Sequence, residues 1–140
     1  MTPRVAIAGG GTGGHIEPAL NLADELRRRD PTTAIVVIVT AKGLEGSLVP
    51  QRGYDLELID PVPLPRRPGR DLISLPTRLR RSTLQARRIV TDQRCDIVVG
   101  FGGYVSIPAY LGARGRVPFV VHEANARPGL ANRLGARMTP

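Results

Sequence analysis

Five short apolar runs, most of them rich in β-branched residues, recur along the chain: RVAIA (4–8), AIVVIVT (34–40), DLELI (55–59), DIVVG (96–100) and PFVVH (118–122). Most are continuous rather than alternating, the pattern of strands that are buried on both faces. Between them lie segments of helical character. PALNLADELRRR (18–29) places Leu22 and Leu26 one turn apart and ends on three arginines, which suit a helix C-terminus. A short helix fits 43–53 before Pro50, a longer one spans about 71–93 with Pro76 in an early turn, and another follows Ser106 as a plausible N-cap. Strands alternating with helices specify βαβ units and an open parallel sheet, an α/β fold with helices on both faces. DPVPLPRRPGRD (60–71), with its four prolines, reads as an exposed loop rather than a domain linker. The last residues, ARMTP, show no closing helix or strand, and the ending reads as a cut.

The 140 residues suit a single domain, and 41% hydrophobic content suffices for a core. Lys and Arg outnumber Asp and Glu by 20 to 12, a formal net charge of +8, and Lys42 is the only lysine. Such a balance points to anionic membrane, phosphorylated substrates or nucleic acid, or to arginines spread over a solvated surface. Nucleic acid is the least expected partner, because 4% aromatic residues leave little for base stacking. Cys95 stands alone, which excludes an internal disulfide, and its place before DIVVG suggests a buried structural thiol. No apolar stretch approaches the ~20 residues needed to span a bilayer, and no signal-peptide pattern precedes VAIA. A cytoplasmic chain is expected.

The segment GGGTGGH follows the first strand. Gly9, Gly11 and Gly14 satisfy GxGxxG between a strand and a helix, where tight turns and helix N–H groups can face an anion. A dinucleotide site also needs an acid near the end of the second strand, and that end reads VTAKGLEG with no acid in place. The lysine of a Walker loop is missing too. The loop is therefore expected to bind something anionic or sugar-like, with a purely structural turn as the plainer alternative. Two further polar segments, GFGGYVSIP (100–108) and HEANARPG (122–129), also end strands. In an open parallel sheet such ends gather on one edge, which would bring together His15, Tyr104, Ser106, His122, Glu123 and Asn125. Taken singly, Ser106 reads as a cap, Asn125 as a turn residue, and each histidine as a residue satisfied within the fold.

The combination GGGTGGHIEPAL, GFGGYVSIPAYLGA and HEANARPGLANRL resembles the three N-terminal signatures of the MurG family, bacterial N-acetylglucosaminyltransferases of peptidoglycan synthesis. The likeness runs from about Val5 to Arg133, with the motifs in the family's order. Ala124 stands where glutamine is usual, and Glu17 where an aromatic or apolar residue is common. The resemblance implies an inverting GT-B enzyme built of two Rossmann-like halves. Residues 1–140 would form the acceptor-binding half, and the donor-binding half would lie outside the chain. The implied reaction moves N-acetylglucosamine from UDP to the 4-hydroxyl of an undecaprenyl-diphospho-muramoyl pentapeptide, with no metal and no cofactor.

On this resemblance His15 is the expected base, since a helix N-terminus disfavours an imidazolium, and Glu123 is the alternative base or an orienting residue. Thr12, Gly13, Gly14 and Asn125 would reach the donor, and Gly102, Gly103, Tyr104 and Ser106 would line the acceptor diphosphate. A polyprenyl substrate implies a peripheral protein on the inner face of the cell membrane. Leu64 and Ile73, with Arg66, Arg67 and Arg70, are the candidate contacts with anionic lipid. Leu72, Leu75, Leu79, Ala86 and Val90 share one helix face and are expected in the core. Two other classes compete: a non-catalytic subunit that binds a lipid-linked sugar for a separate catalytic chain, and a nucleotide-dependent oxidoreductase, which the second strand disfavours.

Overall fold

The computed structural model describes residues 1–11, 13–41, 43 and 45–139. Five strands, β1 (Arg4–Ala8), β2 (Ala34–Thr40), β3 (Asp55–Ile59), β4 (Ile97–Gly100) and β5 (Phe119–Val121), form one sheet in the order β3-β2-β1-β4-β5. Every pairing is parallel, and the last residue of β1, Ala8, lies between Ile38 and Gly100. The chain leaves β1 toward β2 on one side and returns to its other side as β4. The segments after β1 and β4 therefore diverge, opening a crevice at the carboxyl edge where ligands of such sheets bind.

Alternation along β1 divides the core. Val5 and Ile7 pack with Ile16 and Leu20 of α1 (Gly13–Arg29), while Ala6 and Ala8 face Ala86 and Val90 of α3 (Arg70–Asp92) and Ala109 and Ala113 of α4 (Ser106–Ala113). Alanine on both sides of that second face lets α3 and α4 approach the sheet closely. A short helix, α2 (Glu45–Gln51), follows β2, and α5 (Leu130–Met138) follows β5. Cys95 is buried, and desolvation pushes its thiol up to about 11, as suits an inert structural cysteine.

Four sequence expectations need correction. α1 starts at Gly13, a turn and a half before Pro18. Ile16 is 1% exposed and pulls that first turn into the core, while Pro18 removes only the donor that would serve the Gly14 carbonyl. A helix, α5, does occupy the end of the chain. Its buried face carries Ala131, Asn132 and Gly135, so it lacks the large apolar periodicity by which helices are recognised. Ser106 is not an N-cap: Val105 holds that position, and the Ser106 hydroxyl turns inward. Leu72 is 49% exposed rather than in the core, because α3, at 23 residues, overhangs a sheet whose strands hold seven residues at most.

Candidate active site

Three segments meet at the carboxyl edge of the sheet and enclose a cleft of about 230 Å³. His15 comes from the first turn of α1, Gly102, Gly103 and Tyr104 from the β4–α4 loop, Glu123 from the loop after β5, and Asn132 from α5. The imidazole lies against the glycine pair. A Cβ placed on Gly102 would stand 3.2 Å from His15 Nε2, and one on Gly103 would stand 3.4 Å from Nδ1. The same Cβ on Gly103 would meet the Gly10 carbonyl oxygen at 2.3 Å, so the β1–α1 and β4–α4 loops touch backbone to backbone. Gly102 and Gly103 both have positive φ, 96° and 79°, a conformation that side chains other than glycine rarely adopt. The bare backbone is thus required at both positions by its dihedrals and, at Gly103, by the Gly10 carbonyl as well.

Behind the cleft runs a chain of hydrogen bonds that the sequence did not reveal. The hydroxyl of Tyr110, fully buried, donates to Asn132 Oδ1 at 2.8 Å. Asn132 Nδ2 donates in turn to the His122 carbonyl at 2.8 Å and to Glu123 Oε2 at 3.0 Å. Glu123 Oε1 accepts from the backbone N–H of Asn125 at 2.8 Å and from its side-chain Nδ2 at 2.9 Å, and Oε2 also accepts from Gly129 N–H. These donors, the Asn125 amide foremost, hold the Glu123 carboxyl down at about 2. Burial pushes the Tyr110 hydroxyl well above its ordinary range, so it remains a donor. Glu123 thus ties the loop after β5 to α5 through four donors, and each of these bonds favours its charged form. Asn132, a polar residue on the inward face of a helix, was the one available signal of this network.

The other expected site residues fall in different places. Gly14 lies in the first turn of α1 and is exposed, and Gly13 begins that helix. Thr12 lies outside the described residues. Tyr104, 47% exposed, stands at the cleft mouth. Ser106 does not face the cleft: its buried hydroxyl accepts from Gly102 N–H at 3.0 Å and donates toward the Gly102 and Ala8 carbonyls, pinning the β4–α4 loop to the end of β1. Asn125 is exposed beside Glu123. His122 is exposed too, its ring 4.6 Å from that of Phe101. Leu64 is half-buried at the cleft wall, whereas Arg66, Arg67 and Arg70 are exposed and Ile73 is 82% exposed. The two departures from the family pattern are on the surface. Glu17 pairs with Arg52 at 2.9 Å, and Ala124 is exposed. Among the described residues no group of three or more His, Cys, Asp or Glu side chains is placed to hold a metal, and no helix is long and apolar enough to cross a membrane.

A parallel Rossmann-like sheet, with glycine-rich loops and a histidine gathered at its topological switch point, is the architecture of one half of a GT-B glycosyltransferase. The chain belongs to the glycosyltransferase family 28 N-terminal domain family, whose profile matches residues 5–139. It is 60% identical over 139 residues to the Mycolicibacterium smegmatis UDP-N-acetylglucosamine–N-acetylmuramyl-(pentapeptide) pyrophosphoryl-undecaprenol N-acetylglucosamine transferase, covering 95% of this chain and 36% of that protein. The Rhodococcus erythropolis protein of the same name is 54% identical over 141 residues, covering 96% of this chain and again 36% of the relative. The crystal structure of Acinetobacter baumannii MurG superposes with a TM-score of 0.81 at 30% identity, covering 98% of this chain and 39% of that one. The chain thus spans little more than a third of the length of the relatives it matches.

Proposed function

We propose that the chain is the acceptor-side half of an inverting transferase that moves N-acetylglucosamine from UDP-N-acetylglucosamine to the 4-hydroxyl of an undecaprenyl-diphospho-muramoyl pentapeptide, the conversion of lipid I to lipid II. The observation that carries the reading is the cleft in which His15, the bare Gly102–Gly103 backbone and the Glu123 loop meet. It lies in a chain 60% identical to a transferase of that name. The donor-binding half lies outside this chain. The acceptor hydroxyl sits at His15. As its oxygen attacks the anomeric carbon, the bond from that carbon to the UDP oxygen breaks with inversion, UDP leaves with the electron pair, and the hydroxyl proton passes to the imidazole. Amides of the Gly102–Tyr104 segment face the acceptor diphosphate, while Gly14 and Asn125 reach toward the donor, the role that the family resemblance also gives to Thr12 and Gly13. Glu123 holds Asn125 in place for that contact rather than moving protons. The exposed arginines at 66, 67 and 70, with Ile73, hold the protein on the anionic inner face of the membrane.

The test joins this chain to the remaining two-thirds of the Mycolicibacterium smegmatis relative. The chimera should transfer N-acetylglucosamine to a short-chain lipid-linked muramyl acceptor. A folded chimera that binds both substrates and transfers nothing would leave only the reading of a non-catalytic, lipid-linked-sugar-binding chain.

A further inference from the structure

The inward stripe of α3 continues past the last residues that have strands to pack on. Ser82, Ala86 and Val90 of that stripe are buried. Leu75 and Leu79, nearer the helix start and on the same face by their spacing, are half-buried and lie outside the core that Ala86 and Val90 share with the sheet. What these two leucines face instead is Ile107 of α4, Leu130 and Leu134 of α5, and Leu64 from the proline-rich loop before α3. Between them lies a groove of about 160 Å³, lined only by aliphatic side chains and Tyr104. Leu130 and Leu134 remain 54% and 37% exposed on its wall. Leucines left open as a group, rather than singly, mark a surface that receives something apolar.

The groove adjoins the cleft: Leu64, Tyr104, Ile107 and Leu130 line both, beside Gly102 and Gly103. We propose that it is an isoprenoid subsite. It takes the first branched five-carbon unit of a polyprenyl chain whose diphosphate lies at Gly102–Tyr104, so that the protein recognises the acceptor lipid directly instead of meeting it only through the bilayer. Size agrees, since an apolar cavity of about 150 Å³ lined by Leu, Ile and Phe stays dry and admits a six-carbon ring. Order agrees as well: in a prenyl diphosphate the apolar unit follows the phosphates directly, as the groove follows Gly102 and Gly103. A phospholipid fits less well, because a polar glycerol ester separates its phosphate from its acyl carbons and an aliphatic lining offers that linkage little. Arg66 and Arg67, just beyond Leu64, and Arg70 at the start of α3 are exposed, so the same loop carries charge that suits an anionic membrane holding the rest of such a chain. The proposal rests on the transferase reading for the identity of the acceptor, whereas the apolar groove beside the cleft stands on the geometry alone.

Geranyl diphosphate, two isoprene units on a diphosphate, and inorganic pyrophosphate separate the groove from the phosphate contact. In the chain labelled at its Ile, Leu and Val methyls, geranyl diphosphate should shift Leu75, Leu79 and Leu134 and bind about ten-fold more tightly than pyrophosphate, which should leave those methyls still. Leu134→Gln should cut that advantage by about three-fold or more and leave pyrophosphate binding as it was. Equal affinity for the two probes would overturn the proposal, as would groove methyls silent to both or shifts confined to Ile73 and Leu84, which are 82% and 42% exposed on the outer face of α3. None of these outcomes needs a variant to fold, and a folded Leu134→Gln that keeps the full advantage would overturn it too. Dihexanoyl phosphatidylglycerol, held below its micelle concentration, should not move the groove methyls. A response equal to that with geranyl diphosphate would make the groove a contact for membrane lipid and overturn the proposal. So would loss of the geranyl response in the chimera, where the rest of the relative would then cover the groove. An inactive chimera that still shows the groove response would count against the transferase reading alone.

Discussion

Replacing Asn132 by alanine removes the link between the buried tyrosine and the cleft. Tyr110 is completely buried, and its hydroxyl has Asn132 Oδ1 as acceptor at 2.8 Å. Leaving that hydroxyl without its acceptor costs ~1–3 kcal/mol. The His122 carbonyl and Glu123 Oε2 also lose a donor, but both lie nearer the solvent and regain water at little further cost. The total is about 1–3 kcal/mol, which for a domain of 140 residues lowers Tm by roughly 3–15 °C. Urea denaturation and calorimetry measure it directly. Tyr110→Phe should couple to the change by ~0.5–3 kcal/mol in a double-mutant cycle, since both substitutions break one bond. The Glu123 carboxyl should also rise from about 2, though only part of the way, because the Asn125 amide, its largest stabiliser, remains. A loss of less than about 0.5 kcal/mol, of the size seen at indifferent surface sites, would refute the network as described.

Three other outcomes are expected. Gly100→Ala should cost more than about 2 kcal/mol in denaturation, because the new Cβ would lie 2.2 Å from the Tyr110 hydroxyl and 2.3 Å from its ring carbons, and the buried ring has no room to retreat. Glu123 has its folded pKa lowered from 4.5 to about 2, so its contribution is present above pH 4.5 and is lost as the pH falls toward 2. Glu123→Gln should therefore flatten the fall in stability across that interval, and parallel profiles for wild type and variant would count against the assignment. Neutralising Arg66, Arg67 and Arg70 together should weaken sedimentation with anionic vesicles by ~10²-fold at low salt, at about 1 kcal/mol per arginine, without unfolding the chain. Binding that ignores both the substitutions and the salt would place the membrane contact elsewhere.

The inner strands were legible because burial on both faces writes itself into composition: 4–8 and 34–40 match the observed β1 and β2, while 55–59 matches β3, an edge strand with Leu58 51% exposed, on its apolar run alone. The meeting of the three loop segments followed from the parallel order alone. What was not legible depends on contacts distant in sequence. Nothing near Glu45 announces that its carboxylate will meet Gly11, 34 positions away. Ser106 has the residue type of a cap, yet the approach of Ala8, 98 positions earlier, recruits its hydroxyl to brace the loop. Asn132 sits in a helix whose inward face is small and polar because Tyr110 fills the space in front of it, with Gly135 lying against the ring. Leu72 shows the converse: helical periodicity identifies a face correctly but does not say where the sheet beneath it ends.

We propose that His15, held against Gly102 and Gly103, accepts the proton of the attacking hydroxyl. Single-turnover transfer by the chimera, wild type against His15→Ala, tests it most directly, with acceptor binding and denaturation measured on both proteins. The chemical step should be slower by ~10²–10⁴-fold in the variant, with stability and acceptor affinity little changed. A His15→Ala chimera that transfers N-acetylglucosamine at close to the wild-type rate would contradict it.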